Sequence, residues 1–333
     1  MTDIQKGKGP RIRFTEDGLH LDGSILWFDS KPSGDLTFLS SVTNEVPRSG
    51  PQVIATEETI RMLEVQQKKT KALVCQYNKP FSIGRLKMEL LPSGSILGGA
   101  SLHVETGDKK RILYAPHLLS KKNNTVRQMQ LKEANILILG VAHPDPNASM
   151  PSRKKEKERL VKSVQRYVDQ GIYPVIYCKP FPTAQEITNL LSDHSIPLAV
   201  HQTIFKFNRI YEHYGSELGS FQLYKGKKGR QKTTLMPHLN SRRQRHPIPD
   251  GPVLYIEDTL TESPPPTGVF NSIEDRFYIS SSVDGTELRE IIQAVNPEEV
   301  YLFGPYAKRY LDQLTDLALD VKPLYRNDQP PLF

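Results

Sequence analysis

The sequence predicts an α/β fold in which two strand-rich segments, residues 1–147 and 247–333, flank an insertion at 148–246 that reads strand, helix, strand. Three observations predict it. Short apolar runs punctuated by Gly, Pro, Asp and Ser recur through the first segment. Helix-period patterns are few and lie between those runs. The last segment returns to strand-like runs at Val253-Leu-Tyr-Ile256, Phe277-Tyr-Ile279 and Glu299-Val-Tyr-Leu-Phe303.

Taken in order, Arg11-Ile-Arg-Phe14, Leu19-His-Leu21 and Ser24-Ile-Leu-Trp-Phe28 read as strands separated by Glu16-Asp-Gly18 and Asp22-Gly23 turns. A Pro/Gly/Ser loop from Asp29 to Gly34 leads to a buried strand, Leu36 to Leu39. A helix follows over about 57–67, capped by Thr56, with Glu57 and Glu58 at its positive end. Strands at Ala72–Tyr77 and Leu86–Leu91 come next. The glycines of Leu91-Pro-Ser-Gly-Ser-Ile-Leu-Gly-Gly-Ala100 allow a tight turn beneath the strand Ser101–Glu105. No Lys-Ser or Lys-Thr follows them, which excludes a phosphate-loop reading. In the insertion, Glu156–Asp169 is an amphipathic helix with Leu160, Val164 and Tyr167 on one side, and the mixed charges of Ser152-Arg-Lys-Lys-Glu-Lys-Glu-Arg159 at its start predict a solvated face.

Composition bounds the function. A chain of 333 residues buries a large core, and 24% charged with 37% hydrophobic residues describes a globular protein. A formal charge of +7 points to an anionic partner, most often nucleic acid. Cys75 and Cys178 stand alone and far apart, so neither a disulfide framework nor a thiolate zinc site is expected. There is no bilayer-spanning apolar run and no apolar signal core at the N-terminus, so a cytoplasmic protein without membrane association is expected.

The order Leu-Pro-x-Gly-x-x-Leu-Gly-x-Ala (91–100), strand, turn, Arg111-Ile-Leu-Tyr114 resembles the ligase-associated DNA exonucleases. These are metallo-β-lactamase-fold nucleases, relatives of the Artemis-type repair and mRNA 3′-end-processing nucleases. The likeness runs from about residue 12 to 325. It includes Ala134-Asn-Ile-Leu-Ile-Leu-Gly140, Pro182-Thr-Ala-Gln-Glu186, Ile196-Pro-Leu-Ala-Val-His201, and Asn208 and Tyr211 on the next helix. It implies a four-layer αβ/βα sandwich with an inserted β-CASP-like α/β cap.

The same resemblance locates the family's metal ligands and finds them replaced. Ser41 and Thr43 stand at two histidine positions, Glu45 at the aspartate and Val46 at a third histidine. Ser95, Ser282 and Phe303 replace further histidines, His117 the bridging aspartate, and Gly140 an acidic residue. Such nucleases use metal to acidify a water and to stabilise charge on phosphate, which needs several converging His or carboxylate ligands. Glu45, His117 and Asp284 are too few to rebuild that site, so no metal, cofactor or catalytic residue is expected.

A basic segment offers a different chemistry. Lys225, Lys227, Lys228, Arg230, Lys232, Arg242, Arg243 and Arg245 occur without an acidic residue among them, Gly226 and Gly229 loosen the run, and Tyr224 is placed to stack on a base. Phosphate contact is the role such cations fit. Three readings follow: an inactive nuclease homologue that binds DNA or RNA in repair or RNA processing; a scaffold paired with an active nuclease, ligase or helicase; and a residual metal-dependent hydrolase.

Overall fold

Why these runs become strands is visible in their burial: Ile136, Leu137, Ile138 and Leu139 are all buried, even residues facing one layer and odd residues the other. The computed structural model describes residues 12–15, 17–30, 35–44, 52–66, 68, 70–226, 231–238, 250–260, 272–317 and 319–324. The first sheet has the order β1 (Ile12–Thr15), β2 (Gly18–Leu21), β3 (Leu26–Phe28), β4 (Leu36–Phe38), β5 (Gln52–Ala55) and β6 (Ala72–Val74). Its first three strands are antiparallel and the rest parallel. Helix α1 (Glu57–Val65) joins β5 to β6 and is capped by Thr56, whose hydroxyl accepts from Thr59 N–H at 3.2 Å.

The second sheet begins as an antiparallel meander of β7 (Phe81–Ile83), β8 (Leu86–Pro92), β9 (Ala100–Glu105) and β10 (Arg111–Ala115), then adds β11 (Ile136–Gly140) in parallel. The chain then leaves for a third sheet, preceded by α2 (Arg153–Val168). Its strands are β12 (Val175–Cys178), β13 (Leu198–Val200), β14 (Gln222–Leu223), β15 (Thr233–Pro237), β16 (Val253–Glu257) and β17 (Asp275–Tyr278), with α3 (Thr183–Asp193) and α4 (Gln202–His213) between the first three. All its pairs are parallel, in the order β14-β13-β15-β12-β16-β17. After α5 (Gly285–Val295), β18 (Glu299–Phe303) pairs with β11, and β19 (Asp320–Pro323) closes that sheet.

Two corrections to the sequence-based expectation follow. β16 and β17, expected in the C-terminal half beginning at 247, pair with β12 of the third sheet, Val175 opposite Val253 and Leu254 opposite Asp275. Sequence reading places an apolar strand but not its neighbour, and both sheets present parallel edges to such a run. The charges of α2 are only partly a solvated face: Lys154, Lys155 and Glu158 are exposed, but others are not. Arg153 and Lys157 pair with Glu186 of α3, and Arg159 with Asp275 at 2.7 Å, because the helix lies between α3 and β17.

The packing is the αβ/βα sandwich. Leu21, Phe28, Phe38 and Ile54 of the first sheet meet Met88, Leu102, Ile112, Tyr114 and Ile138 of the second in one core. The outer face of the first sheet takes Met62 and Leu63 of α1, and that of the second takes Leu288, Ile291 and Ile292 of α5. In the cap, α2, α3 and α4 share one cluster with Ile176, Val200, Leu235, Leu254 and Phe277. The cap docks through Phe207, Ile210 and Tyr211 of α4, which join Val53, Leu63 and Leu97.

Candidate functional site

The candidate site lies where the strand ends of the sandwich meet the strand ends of the cap, joined by the Ser95–Ser281 and Ser281–Asp258 bonds. On the sandwich side, the turn after β4 brings Ser41 and Thr43 together, their hydroxyls 2.5 Å apart. The neighbouring Asn44 accepts from the His117 ring at 3.3 Å through its Oδ1. Ser95 sends its hydroxyl proton to the carbonyl of Ser281, 2.7 Å away. Ser282 lies within 3.5 Å of the buried imidazole of His143, which also meets Ser280 Oγ at 3.2 Å. Of the substituted positions, Ser41 and Thr43 thus meet each other, while His117, Ser95 and Ser282 meet Asn44, Ser281 and His143 respectively. Glu45 and Val46 lie outside the described residues.

The chemistry of these groups is that of packing and hydrogen bonding. Phe303 stacks on Tyr114, ring centres 5.6 Å apart, against the central core. Tyr114 donates to Asp29 at 2.8 Å, and Asp29 also takes the Ser40 N–H at 2.7 Å. Burial raises the pKa of the Asp29 carboxyl, opposed by these bonds and by His117. Burial pushes His117 the other way, toward the neutral ring. Gly140 accepts no side chain: a Cβ there would fall 2.1 Å from the Pro116 carbonyl oxygen, just before His117. Asp284 caps α5 in a reciprocal box with Glu287 and accepts from Met150 N–H at 3.1 Å.

The metals of the resembled nucleases do not fit this donor set. Among the described residues no three His, Cys, Asp or Glu side chains gather as a metal site requires. The hydroxyls of Ser41 and Ser95 are engaged by their neighbours, and a phenyl ring cannot ligate.

On the cap side are groups that sequence reading did not single out. Lys179 follows β12 directly and Asp258 follows β16, and their side chains form an ion pair at 2.6 Å. Asp258 also accepts from Ser281 N–H at 2.8 Å and Ser281 Oγ at 2.7 Å. His238, at the end of β15, stacks on Tyr255 with ring centres 4.5 Å apart and donates to the Ile256 carbonyl at 2.9 Å. Lys179 and Asp258 lie 79 residues apart and share no motif, so parallel pairing of β12 with β16 is what joins them.

The residues read as family-like in the cap hold it together. Gln185 donates to Pro180 O at 3.1 Å and to Asn208 Oδ1 at 2.9 Å. His201 caps α4 by accepting from Thr203 N–H at 3.2 Å. Tyr211 accepts from Leu97 N–H at 3.1 Å, bridging cap and sandwich.

Of the basic segment, Lys225 is exposed just past β14 and Lys232 is half-buried just before β15. Lys227, Lys228, Arg230, Arg242, Arg243 and Arg245 lie outside the described residues. Tyr224, expected as a stacking platform, is partly buried against the cluster of Val175, Tyr177, Met236 and Tyr255. The described chain reaches the carboxyl edge of the parallel cap sheet at Lys225, after Leu223, and again at His238. No helix among the described residues is long and apolar enough to cross a membrane.

Comparison with known proteins agrees with this architecture. A probable DNA ligase of Opitutus terrae (strain DSM 11246 / JCM 15787 / PB90-1) is 18% identical over 326 residues, 96% of this chain and 31% of that protein. An RNase J-like protein of Methanocaldococcus jannaschii is 22% identical over 138 residues, 39% of this chain and 32% of that protein. The chain thus spans about a third of the length of each of these relatives. A protein of unknown function from Enterococcus faecalis V583 superposes with a TM-score of 0.57 at 15% identity, over 80% of this chain and 74% of that one. No protein-family model matches the sequence.

Proposed function

We propose that this chain is a catalytically inactive homologue of the metallo-β-lactamase-fold nucleases that binds nucleic acid, with the 225–245 basic segment supplying phosphate contacts. One observation carries the reading: the positions where the resemblance expects metal ligands hold Ser41, Ser95 and Phe303, each engaged in hydrogen bonding or packing, while the scaffold around them is intact. Metal-dependent water activation has no ligand set among the described residues, and binding is what a retained cleft beside a basic run can do. The similarity to proteins named for DNA ligation and for an RNase supports nucleic acid as the partner.

A salt titration of DNA and RNA binding tests it. Each neutralised phosphate lowers log affinity by about 0.9 per unit log salt on duplex DNA. Changing Lys225, Lys227, Lys228 and Arg230 together to Ala should weaken binding and flatten that slope without unfolding the chain. Identical slopes for the two proteins would remove the segment from the interface. Absence of binding at low salt would remove nucleic acid altogether.

A scaffold role beside a DNA-joining activity has one observation of its own. Nearly all of this chain matches 31% of the probable DNA ligase, so that relative carries a similar region within a longer chain. Coupling to a partner would appear as a change in DNA-joining rate when this protein is added to a purified ligase.

A further inference from the structure

The cap sheet has a feature that the basic segment does not explain. From β12 the chain passes through α3 to β13 on one side, and from β16 it passes to β17 on the other. Adjacent parallel strands whose connections diverge open a crevice at their carboxyl ends, where open α/β sheets hold their ligands. The residues at that crevice are Lys179 and Asp258.

Their environments differ in a way that matters. The Asp258 side chain is only 10% exposed. Burial alone would raise its pKa, but the Lys179 charge and the two Ser281 bonds outweigh it and hold the carboxyl below its usual range. Its Oδ1 and Oδ2 are both engaged, by Ser281 and Lys179 respectively. Lys179 is 47% exposed, and an ammonium has three donors. Asp258 takes one of them at Nζ, which leaves two N–H donors for other acceptors.

What lies across from it is the sandwich side of the cleft. Ser281, bound to Asp258, receives the Ser95 hydroxyl, and Ser95 stands at a position where the resemblance expects a metal ligand.

We infer that Lys179 supplies the positive charge of this cleft and binds a phosphate of the nucleic acid there, without metal. The inference rests on the nucleic-acid reading above and names a contact separate from the 225–245 segment. Asp258 is the positioning residue: it fixes the ammonium and attenuates its charge.

The test is the binding of a mixed-sequence single-stranded oligodeoxynucleotide by the full chain, titrated with salt, for wild type and three variants. Lys179→Gln should weaken binding about fivefold to tenfold and reduce the log–log salt slope by roughly 0.7, the value of one contact on a single strand. Lys179→Arg should retain both affinity and slope. Asp258→Asn should bind more tightly than wild type, because the counter-charge is gone, although it loses an ion pair and melts earlier. A purely structural ion pair predicts the reverse, weaker binding in step with lower stability. Wild type that binds while Lys179→Gln keeps the same slope overturns the Lys179 contact alone. Wild type that binds nothing at low salt overturns this contact together with the proposed function. Should Lys179→Gln fail to fold, Asp258→Asn decides: weaker or unchanged binding overturns the contact.

Discussion

Burial pushes the imidazole of His238 from 6.5 down to about 4, because its ring is enclosed against Tyr255 and near Lys179. Between those values the folded ring is neutral and the unfolded one is protonated, so the unfolded chain binds more protons. Stability therefore rises with pH across that window and is lost as pH falls through it, by roughly 3–4 kcal/mol at about 1.4 kcal/mol per unit. His238→Gln keeps an N–H donor for the Ile256 carbonyl and should flatten the loss of melting temperature between pH 7 and pH 5. Some slope should remain, since burial lowers His103, His117 and His143 as well. An unchanged pH profile would remove His238 from the acid response. Phe303 makes a second residue-scale case. Its ring stacks on Tyr114, so Phe303→Ala should cost about 3 kcal/mol in urea denaturation. Phe303→His should still bind no zinc by elemental analysis, because Ser41 and Ser95 remain engaged elsewhere.

At the scale of elements, α1 starts where it does because Thr56 does two things at once. Its hydroxyl accepts from Thr59 N–H at 3.2 Å and donates to the Gly98 carbonyl at 2.8 Å, and the Thr59 hydroxyl reaches the same carbonyl at 2.9 Å. The helix is thereby tied to the turn between β8 and β9. Thr56→Ala removes the cap and one buried hydrogen bond, and should destabilise by about 1–2 kcal/mol. Gly98 is the other half of the joint: at φ +76° a Cβ would fall 2.5 Å from Thr59 N. Gly98→Ala should therefore cost more than Thr56→Ala, as equilibrium unfolding of both variants would show. Equal or smaller loss would mean that the turn moves aside freely.

At the scale of the molecule, cap and sandwich share one hydrophobic cluster through α1 and α4. Tyr211 adds the hydrogen bond that takes the otherwise buried Leu97 N–H. Tyr211→Phe should cost about 1–3 kcal/mol, the penalty of an unpaired buried donor. Amide exchange should quicken first at Leu97 and along α4. A shared cluster also predicts one cooperative unfolding transition in calorimetry. Two separate transitions would show that the cap folds on its own.

The strands and helices were largely legible in the sequence, because each carries its own evidence. Ile136–Leu139 is apolar on both faces, Thr56 precedes a helix period, and Gly94, Gly98 and Gly99 punctuate a turn. The order of motifs marked Ser41, Ser95, His117 and Ser282, but only the structure shows what each touches: Thr43, Ser281, Asn44 and His143. What the tertiary structure alone decided was partnership. Strands β16 and β17 joined the cap because parallel pairing depends on which edge is free, a long-range property that no local run encodes. For the same reason Lys179 and Asp258, 79 residues apart, became an ion pair at a crevice that exists only once β12 and β16 lie side by side.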